Sequence, residues 1–480
     1  MMHDYRAFPR IVISAIRGGS GKTIISAGII AAFKAAGKQV SPFKKGPDYI
    51  DTGWLALAAG RPCYNLDTFL TPVDLVLASF HNHSFNTDLS VIEGNRGLYD
   101  GIDLEGTTST AELAKLLEAP VILCVDCTKS TRTIAAVVLG CIHFDRNIDI
   151  RGVILNRVAG ARHENIVKRS IEHHTGVPVF GSIPKINRQS FPERHMGLVP
   201  MPEHEWAAES IASAAAMARK YIDLEKLAQT AFNAPDMPVK RHAEDISGKQ
   251  DAGTAKGFKI KPKIGIMKDS AFQFYYQENI DALISEGAEL VYTSPLSDKT
   301  IPDIDALYIG GGFPETHAKE LSENTSYKEE LKILAAKGLP IYAECGGLMY
   351  LGKELILDGV TYDMAGLLPI AFGFSKKPQA HGYTIVEVEE NNPYYKSGTE
   401  IRGHEFHYSS VLKWEGEDKD LTFRLKRGSG LINNRDGVVF KNVLATYTHI
   451  HALGTPFWAE ALIRNALSNR KTKIKGRHLK

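Results

Sequence analysis

The sequence has few cysteines, little excess charge and no long apolar segment. Its 480 residues include only five cysteines, too few for a disulfide framework, which favours a reducing cytoplasm. The formal net charge of +2 predicts no general attraction to nucleic acid or to a membrane. No apolar run approaches the roughly 18 residues that span a bilayer, and the amino-terminal residues lack a signal-peptide pattern. We therefore expect a cytoplasmic protein without a nucleic-acid or membrane partner.

Two segments of the chain alternate short apolar strands with helices. The strands are continuous apolar runs, which is typical of a parallel sheet covered by helices on both faces. Between the two segments, residues 235–260 are polar and rich in Gly, Pro and Ala, as expected of a linker. The sequence therefore predicts an α/β protein with two doubly wound domains, at residues 1–234 and 261–467, followed by a basic tail at residues 468–480.

The first candidate site is a glycine-rich loop, SAIRGGSGKT, at residues 14–23. It follows a β-branched strand and opens a helix, so its backbone N–H groups and the helix dipole favour an anion. Lys22 is suited to the β- and γ-phosphates of ATP, and Thr23 is suited to Mg²⁺. Gly19 and Gly21 keep the loop backbone open. The loop is one residue longer than the standard phosphate loop, and the competing interpretation is a glycine-rich turn with a solvated lysine.

Two further strand ends carry acidic side chains. The segment FKKGPDYIDTGW places Lys44, Lys45, Asp48 and Asp51 together, and VIEGNRGLYDG places Glu93 just past a strand. Ligands of parallel sheets bind beyond the carboxyl ends of the strands, where a carboxylate is a suitable ligand for Mg²⁺. Each acid taken alone is equally explained as a solvated loop residue. Together with the glycine loop, Glu93 becomes the candidate metal ligand.

The second candidate site is a strand, a sharp turn and a helix in the segment IYAECGGLMYL. Small residues beside Cys345 allow an elbow that presents the thiol at a helix amino terminus, where its pKa is expected to fall. The base that a cysteine nucleophile needs is His449 in ATYTHIH or a histidine of GHEFHYS. The amides of Gly346 and of the turn around Gly311 are candidate oxyanion donors. The competing interpretations are a buried structural cysteine and histidines that bind zinc.

These motifs together resemble the cobyrinate a,c-diamide synthases, which are ATP- and glutamine-dependent enzymes of corrinoid assembly. The resemblance covers nearly the whole chain and includes, in order, FKKGPDYIDTGW, EGNRGLYDG, GVILNRV, ERHMGLVP, IGGGFPE, AECGGLMYL and ATYTHIH. It implies an amino-terminal domain similar to dethiobiotin synthetase, with the same variant phosphate loop, and a class I glutamine amidotransferase domain. It also implies Mg²⁺, ATP, L-glutamine and a tetrapyrrole as ligands.

The resemblance implies a reaction in two halves. Glutamine is hydrolysed in the carboxy-terminal domain, and the ammonia passes to the amino-terminal domain. There ATP phosphorylates a substrate carboxylate, and ammonia displaces the phosphate to form an amide. Phosphorylation gives the carboxylate a leaving group, while Mg²⁺ and lysines neutralise the charge of the transfer. The expected products carry amides on the a and c acetate side chains of cobyrinate, within cobalamin biosynthesis.

The resemblance also implies roles for individual residues. Cys345 matches the family nucleophile and His449 the base. His451 stands where related amidotransferases have an orienting glutamate, which leaves Glu405 or a backbone carbonyl as its replacement. The residues expected at the other ligands are Gly19, Gly21, Lys22, Thr23, Lys44 and Asn156 for ATP, Thr23, Asp48 and Glu93 for the metal, and Tyr99, Asp100, Arg194 and His195 for the tetrapyrrole.

Several alternatives stay open in the sequence. Asn95 and Arg96 replace the expected small apolar residue and Met, so the tetrapyrrole is cobyrinate, hydrogenobyrinate or the nickel-sirohydrochlorin of the coenzyme F430 route. A protein of another class, a regulatory ATP-binding module with an inactive amidotransferase half, is opposed by the intact Lys22, Glu93 and Cys345. A homodimer is compatible with the sequence.

Overall fold

The chain forms two compact units, Met1–Gly248 and Lys249–Lys480. The division falls inside the segment 235–260 that the sequence predicts as a linker, and most of that segment lies outside the described residues. The computed structural model describes residues 4–185, 193–194, 197–198, 206–239 and 261–478.

The first unit contains strands and helices in alternation. Its strands are β1 (Asp4–Arg6), β2 (Arg10–Ala15), β3 (Val40–Lys45), β4 (Tyr64–Leu66), β5 (Leu89–Glu93), β6 (Val121–Asp126), β7 (Ile150–Val158), β8 (Val179–Pro184), β9 (Glu193–Arg194), β10 (Gly197–Leu198) and β11 (Met237–Val239). Its helices are α1 (Lys22–Ala35), α2 (Ile50–Ala59), α3 (Val73–Ser84), α4 (Thr110–Leu116), α5 (Thr133–Phe144), α6 (Ala161–Thr175), α7 (Ala207–Tyr221) and α8 (Leu224–Phe232).

Seven of these strands form a parallel sheet in the order β4-β3-β5-β2-β6-β7-β8. Successive residues of a strand face opposite sides, so Ile11 and Ile13 of β2 pack against α1, α2 and α7, whereas Val12 packs on the face of α3 and α5. Both faces are covered, as the sequence predicts. The glycine loop follows the central strand β2, and the ends of β3, β5, β6 and β7 lie at the same edge of the sheet.

The second unit contains fourteen strands and five α-helices within its described part. Its strands are β12 (Lys263–Met267), β13 (Glu289–Thr293), β14 (Ala306–Ile309), β15 (Ile341–Glu344), β16 (Glu354–Leu357), β17 (Val360–Asp363), β18 (Ile370–Phe374), β19 (Ala380–Val388), β20 (Glu400–His407), β21 (Ser409–Trp414), β22 (Leu421–Arg427), β23 (Arg435–Phe440), β24 (Val443–Thr446) and β25 (His449–Ile450). Its helices are α9 (Gln277–Ser285), α10 (Ala318–Glu323), α11 (Thr325–Ala336), α12 (Gly346–Leu351) and α13 (Phe457–His478).

The main sheet of the second unit is half parallel and half antiparallel. Its order is β13-β12-β14-β15-β24-β23-β22-β19-β20-β25, in which the first five strands are parallel. The strands β23, β22, β19, β20 and β25 continue the sheet, each antiparallel to its neighbours. A smaller sheet has the order β17-β16-β18-β21. The parallel half, which ends in Cys345 after β15, is the α/β framework that the sequence predicts.

The predicted linker and tail both include regular structure. Strand β11, which begins at Met237, pairs antiparallel with β1, and Arg10 donates to the Pro235 carbonyl at 2.9 Å. Helix α13 extends into the predicted basic tail, because Arg470 and Lys473 form ion pairs with acids that precede β14. None of the helices in the described ranges combines the length and apolar composition that a membrane span requires.

Candidate active sites

The glycine loop between β2 and α1 is built around two left-handed glycines. Gly19 and Gly21 have φ angles of 70° and 84°, a conformation that costs side-chain-bearing residues energy. A Cβ on Gly21 would also lie 2.4 Å from Nδ2 of Asn156. That amide donates to the Ser20 carbonyl at 2.8 Å, and Oδ1 of Asn156 accepts the Arg157 N–H at 2.9 Å. Asn156, expected at the adenine, thus lies against the loop and fixes its backbone.

The lysines and acids of the first site converge at the carboxyl edge of the sheet. Lys22 Nζ donates to the Arg96 carbonyl at 2.7 Å, and Thr23 Oγ1 donates to Glu93 Oε1 at 2.9 Å. Lys44 Nζ lies 2.7 Å from Glu93 Oε1 and 2.7 Å from an Asp51 carboxylate oxygen. We call Lys44, Asp51 and Glu93 the buried charge cluster. The sequence-predicted residues Lys22, Thr23, Lys44 and Glu93 are therefore brought together.

Burial and mutual contact set the charges of this cluster. Burial lowers the pKa of Lys22, and the neighbouring Lys44 lowers it further, so an anion beside Lys22 would stabilise its charged form. Burial also acts to lower the pKa of Lys44, but Asp51 and Glu93 outweigh it and the net pKa is raised. Burial raises the pKa of Glu93 despite the nearby lysines. The site thus holds one lysine whose pKa is raised by two carboxylates and one lysine whose pKa is lowered by burial.

The first site has features that fit a magnesium ion. Oε2 of Glu93 is buried and has no hydrogen-bond partner, and Oε1 of the same carboxylate lies beside the Thr23 hydroxyl. A carboxylate and a hydroxyl next to a phosphate loop are oxygen ligands of the kind that Mg²⁺ binds together with nucleotide phosphates and water. Over the described part of the chain, no group of three or more His, Cys, Asp or Glu residues is arranged to hold a metal by itself.

Asp48 lies at the edge of the cluster, two residues before helix α2. Its Oδ1 accepts the Asp51 backbone N–H at 2.8 Å. Burial, together with the Asp51 carboxylate, raises the pKa of Asp48 to about 7. Asp51 itself has a lowered pKa, because Lys44 outweighs the effect of burial. Asp51 is the acid that the sequence-based set of ligands left out, although it lies only three residues after Asp48.

Replacement of Asp48 by Asn is expected to stabilise the protein relative to the wild type as the pH rises. Between the ordinary pKa of 3.8 and the folded value of about 7, the folded protein keeps a proton that the unfolded chain loses. Wild-type stability from this group therefore falls as the pH rises through that window. Asn accepts the same backbone hydrogen bond without ionising. Between about pH 5 and pH 8, the melting temperature of Asp48→Asn should rise by several degrees relative to that of the wild type. Parallel pH profiles for the two proteins would contradict the prediction.

The residues expected to contact the tetrapyrrole are only partly described. The Tyr99 hydroxyl donates to the Cys141 carbonyl at 2.5 Å, and its ring packs on Phe144. Asp100 is exposed and accepts the Gly97 N–H at 2.8 Å. The backbone of Arg194 belongs to the short hairpin of β9 and β10, and its side chain, like the whole of His195, lies outside the described residues. Tyr99 is thus engaged with its own fold, whereas Asp100 remains accessible.

The second site is centred on a nucleophile elbow. Cys345 has φ 46° and ψ −98° and directly precedes helix α12, while its N–H donates to the Thr446 carbonyl at 2.8 Å. Such a strained conformation is typical of functional turns. A Cβ on Gly346 would lie 2.9 Å from the backbone nitrogen of Gly312, so only glycine lets the two turns approach this closely. The elbow that the sequence predicts is present.

The electrostatics of Cys345 differ from the sequence-based expectation. The thiol was expected to have a lowered pKa at the helix amino terminus. Instead burial raises its pKa, and the Glu315 carboxylate raises it further, whereas the Gly346 N–H only partly offsets this. The side chain is 4% exposed, and the short helix α12 does not compensate the loss of solvation. The resting thiol is therefore protonated and needs a base during attack.

His449 lies beside the elbow and the glycine turn. A Cβ on Gly311 would be 2.5 Å from Cε1 and 3.2 Å from Nε2 of the His449 ring. On its other side, the ring stacks on His404 with a centroid distance of 4.9 Å. Nδ1 of His449 lies 3.3 Å from Oε2 of Glu344. Of the predicted oxyanion donors, Gly311 thus lies against His449, and Gly346 directly follows Cys345 and lies against Gly312.

Two residues bear on the orienting group of the base: His451, which occupies the usual glutamate position, and Glu405, the candidate replacement. Nε2 of His451 lies 3.6 Å from Glu278, and its Nδ1 accepts the Leu453 N–H at 3.3 Å. Glu405 accepts the backbone N–H groups of Ser429 and Gly430. Glu344 is the acid at His449, and the sequence contained one signal for it, a charged residue at the end of an otherwise apolar buried strand.

A phosphate-loop unit and an amidotransferase-like unit with a cysteine elbow define a glutamine-dependent amidating ligase. Residues 11–199 match the CobQ/CobB/MinD/ParA nucleotide binding domain, and residues 263–457 match the CobB/CobQ-like glutamine amidotransferase domain. Cobyrinate a,c-diamide synthases are similar along almost their whole length, and this chain belongs to their family. These matches confirm the predicted family resemblance and fold class.

Three curated relatives show the extent of the similarity. The cobyrinate a,c-diamide synthase of Magnetococcus marinus is 42% identical over 95% of this chain and 97% of its own. The enzyme of that name from Archaeoglobus fulgidus is 38% identical over 96% of this chain and 98% of its own. That from Methanobrevibacter smithii is 41% identical over 93% and 96%, respectively.

Proposed function

We propose that this protein amidates the a and c acetate side chains of cobyrinate, with ATP, Mg²⁺ and glutamine, in cobalamin biosynthesis. The observation that supports this most directly is that each half of the chain carries its own reaction centre. The first half has a phosphate loop beside the buried charge cluster. The second half has Cys345 in an elbow and His449 beside it. The curated relatives are named for cobyrinate.

In the ligase half, the loop around Gly19 and Gly21 and the Lys22 ammonium hold the β- and γ-phosphates of ATP. Thr23 and Glu93 would hold Mg²⁺, which neutralises phosphate charge when it is bound. A substrate carboxylate oxygen attacks the phosphorus of the γ-phosphoryl group, and ADP leaves. Lys44 stabilises the negative charge of the phosphoryl group during this transfer. Ammonia then attacks the acyl carbon, and inorganic phosphate departs with the former carboxylate oxygen.

The remaining ligase residues have supporting roles in this proposal. Asp48 stands next to the metal-side acids, and Asn156 contacts the nucleotide near the loop that it fixes. Tyr99, Asp100 and the segment with Arg194 and His195 contact the tetrapyrrole. The ligase domain spans residues 1–234 and the amidotransferase domain residues 261–467.

In the amidotransferase half, the Cys345 sulfur attacks the carboxamide carbon of glutamine while His449 accepts the thiol proton. The amides at Gly311 and Gly346 stabilise the negative oxygen of the tetrahedral intermediate. The proton passes from His449 to the leaving nitrogen, ammonia departs, and water hydrolyses the glutamyl thioester to glutamate. Because burial raises the thiol pKa, proton transfer accompanies attack rather than preceding it.

The acyl phosphate is tested by following carboxylate oxygen. Cobyrinate labelled with ¹⁸O in its carboxylates is converted with ATP and glutamine, and the phosphate produced is examined by mass spectrometry. The proposal predicts one labelled oxygen in inorganic phosphate for each amide formed, because the carboxylate oxygen leaves with phosphorus. Amide formation with unlabelled phosphate, or with label in AMP, would show a different activation of the carboxylate.

A further inference from the structure

A buried carboxylate lies immediately before the nucleophile and contacts the candidate base. Glu344 ends β15 and is 0% exposed. Its Oε2 lies 3.3 Å from Nδ1 of His449 and accepts the Tyr308 hydroxyl at 3.2 Å. Its Oε1 accepts the Ile450 N–H at 3.2 Å. Both carboxylate oxygens thus have polar partners. Of the Tyr308 hydroxyl, the Ile450 N–H and the His449 imidazole, the imidazole is the group that can become a cation.

The strand geometry explains how two adjacent residues reach the same histidine. Successive residues of β15 face opposite sides, so Glu344 shares the face of Tyr342, where Tyr308 and Ile450 also pack. The left-handed turn at Cys345 then redirects the chain. Strand β24 pairs with β15, with Thr446 opposite Glu344, and His449 follows three residues later. Glu344 and Cys345 are therefore consecutive residues at the end of β15, on the side of the sheet edge where His449 follows β24.

A carboxylate in such surroundings is costly unless it is paired. Removing a charge from water is compensated only by hydrogen bonds and an opposite charge. Aromatic residues dominate this face of the sheet beside Glu344, so its best compensation arises when the imidazole becomes cationic. In the proposed mechanism the imidazole is cationic while His449 carries the thiol proton, as glutamine is attacked.

We propose that Glu344, which directly precedes the nucleophile in the chain, is the positioning residue of His449. The carboxylate keeps the proton on Nδ1, leaves Nε2 to accept the thiol proton on the Gly311 side, and stabilises the imidazolium. The proton returns from Nε2 to the departing nitrogen, and Glu344 holds the imidazole in position throughout. This inference rests on the proposed roles of Cys345 and His449 in glutamine hydrolysis.

The test is Glu344→Gln, measured as glutamate released from glutamine. The amide preserves size but offers Nδ1 a neutral group or an N–H donor, so kcat should fall by about 10²-fold or more. KM for glutamine should change little, because Glu344 bonds the base and the backbone of β25. Glu344→Asp, which retains the charge, should recover part of kcat. Amidation with ammonium salts should match the wild type.

The matched control is Asp305→Asn, which removes a second buried carboxylate from the same unit. Asp305 accepts the Lys263 N–H at 2.9 Å and pairs with Arg470, and the asparagine oxygen can accept the same backbone hydrogen bond, so glutaminase kcat should stay within a few-fold of the wild type. Wild-type kcat in Glu344→Gln, or equal losses in Glu344→Gln and Asp305→Asn, would overturn the inference. A wild-type protein without glutaminase activity would overturn the proposed function itself, before any variant is compared.

Discussion

Replacement of Cys345 by Ala is expected to abolish glutamine-dependent amidation and leave ammonia-dependent amidation intact. Without the sulfur no glutamyl thioester forms, and loss of a nucleophile costs about 10³-fold or more in kcat. The ligase groups lie in the other compact unit of the chain, and free ammonia bypasses the thioester. Parallel assays with glutamine and with a high ammonium concentration measure the two activities on the same preparation.

The control for this variant is Cys141→Ala. Cys141 lies on α5 of the first unit and contributes its backbone carbonyl, not its thiol, to the bond with Tyr99. We expect both nitrogen sources to support wild-type rates in this control. If Cys345→Ala lost the ammonia-dependent rate while keeping its wild-type melting temperature, the two reaction centres would not be separable, and the assignment of Cys345 to glutamine hydrolysis alone would fail.

Replacement of Lys22 by Ala is expected to stop amidation with either nitrogen source. Lys22 is the buried lysine of the phosphate loop, and burial lowers its pKa, so its charge is stabilised best by the ATP phosphates. Loss of a cation that acts on the transferring phosphoryl group costs about 10³-fold or more. ADP release, measured with cobyrinate and ammonium, should fall in parallel with amide formation.

Lys34→Ala is the matched control for the lysine prediction. Lys34 is an exposed lysine in the last turn of the same helix α1, so its removal tests the loss of a lysine without the phosphate contact. We expect near wild-type amidation from it. Ammonia-dependent amidation that persists in Lys22→Ala would remove Lys22 from the phosphate role and leave Lys44 as the main cation of the site.

The local motifs were readable from the sequence because each is encoded by adjacent residues. A phosphate loop needs only a strand, glycines and the Lys22–Thr23 pair, and an elbow needs only small residues beside Cys345. The carboxyl-edge rule for parallel sheets also brought Glu93 to the loop correctly. The family resemblance added His449, which lies more than a hundred residues from the cysteine.

The missed residues depend on contacts across the sheet. Glu344 reaches His449 because β15 and β24 are neighbours, and no local pattern records that pairing. The pattern of related amidotransferases instead predicts an acid two residues after the histidine, where this chain has His451. The sequence places Asp51 near Lys44 but does not mark it as a ligand, and their contact at 2.7 Å forms because the turn after β3 leads into α2.

Composition also gave a wrong prediction of structure for a segment whose conformation depends on strand pairing. The polar, proline-containing start of the predicted linker includes Met237–Val239, which forms a strand because β1 offers it an edge. The antiparallel half of the second sheet was not predicted, because the pairing of β19 with β20 and β22 depends on contacts between distant segments. The pKa of Cys345 was misjudged because a short helix was weighed without the burial of the thiol.

The central claim is that ATP and glutamine together amidate cobyrinate on this protein. The most direct measurement is mass spectrometry of the tetrapyrrole after incubation with ATP, Mg²⁺ and amide-¹⁵N glutamine, with cobyrinate, hydrogenobyrinate and nickel-sirohydrochlorin in parallel. The account predicts two successive replacements of a carboxyl OH by ¹⁵N-labelled NH₂ on cobyrinate. Amidation confined to one of the other macrocycles, or no amidation of any by a protein that hydrolyses glutamine, would contradict it.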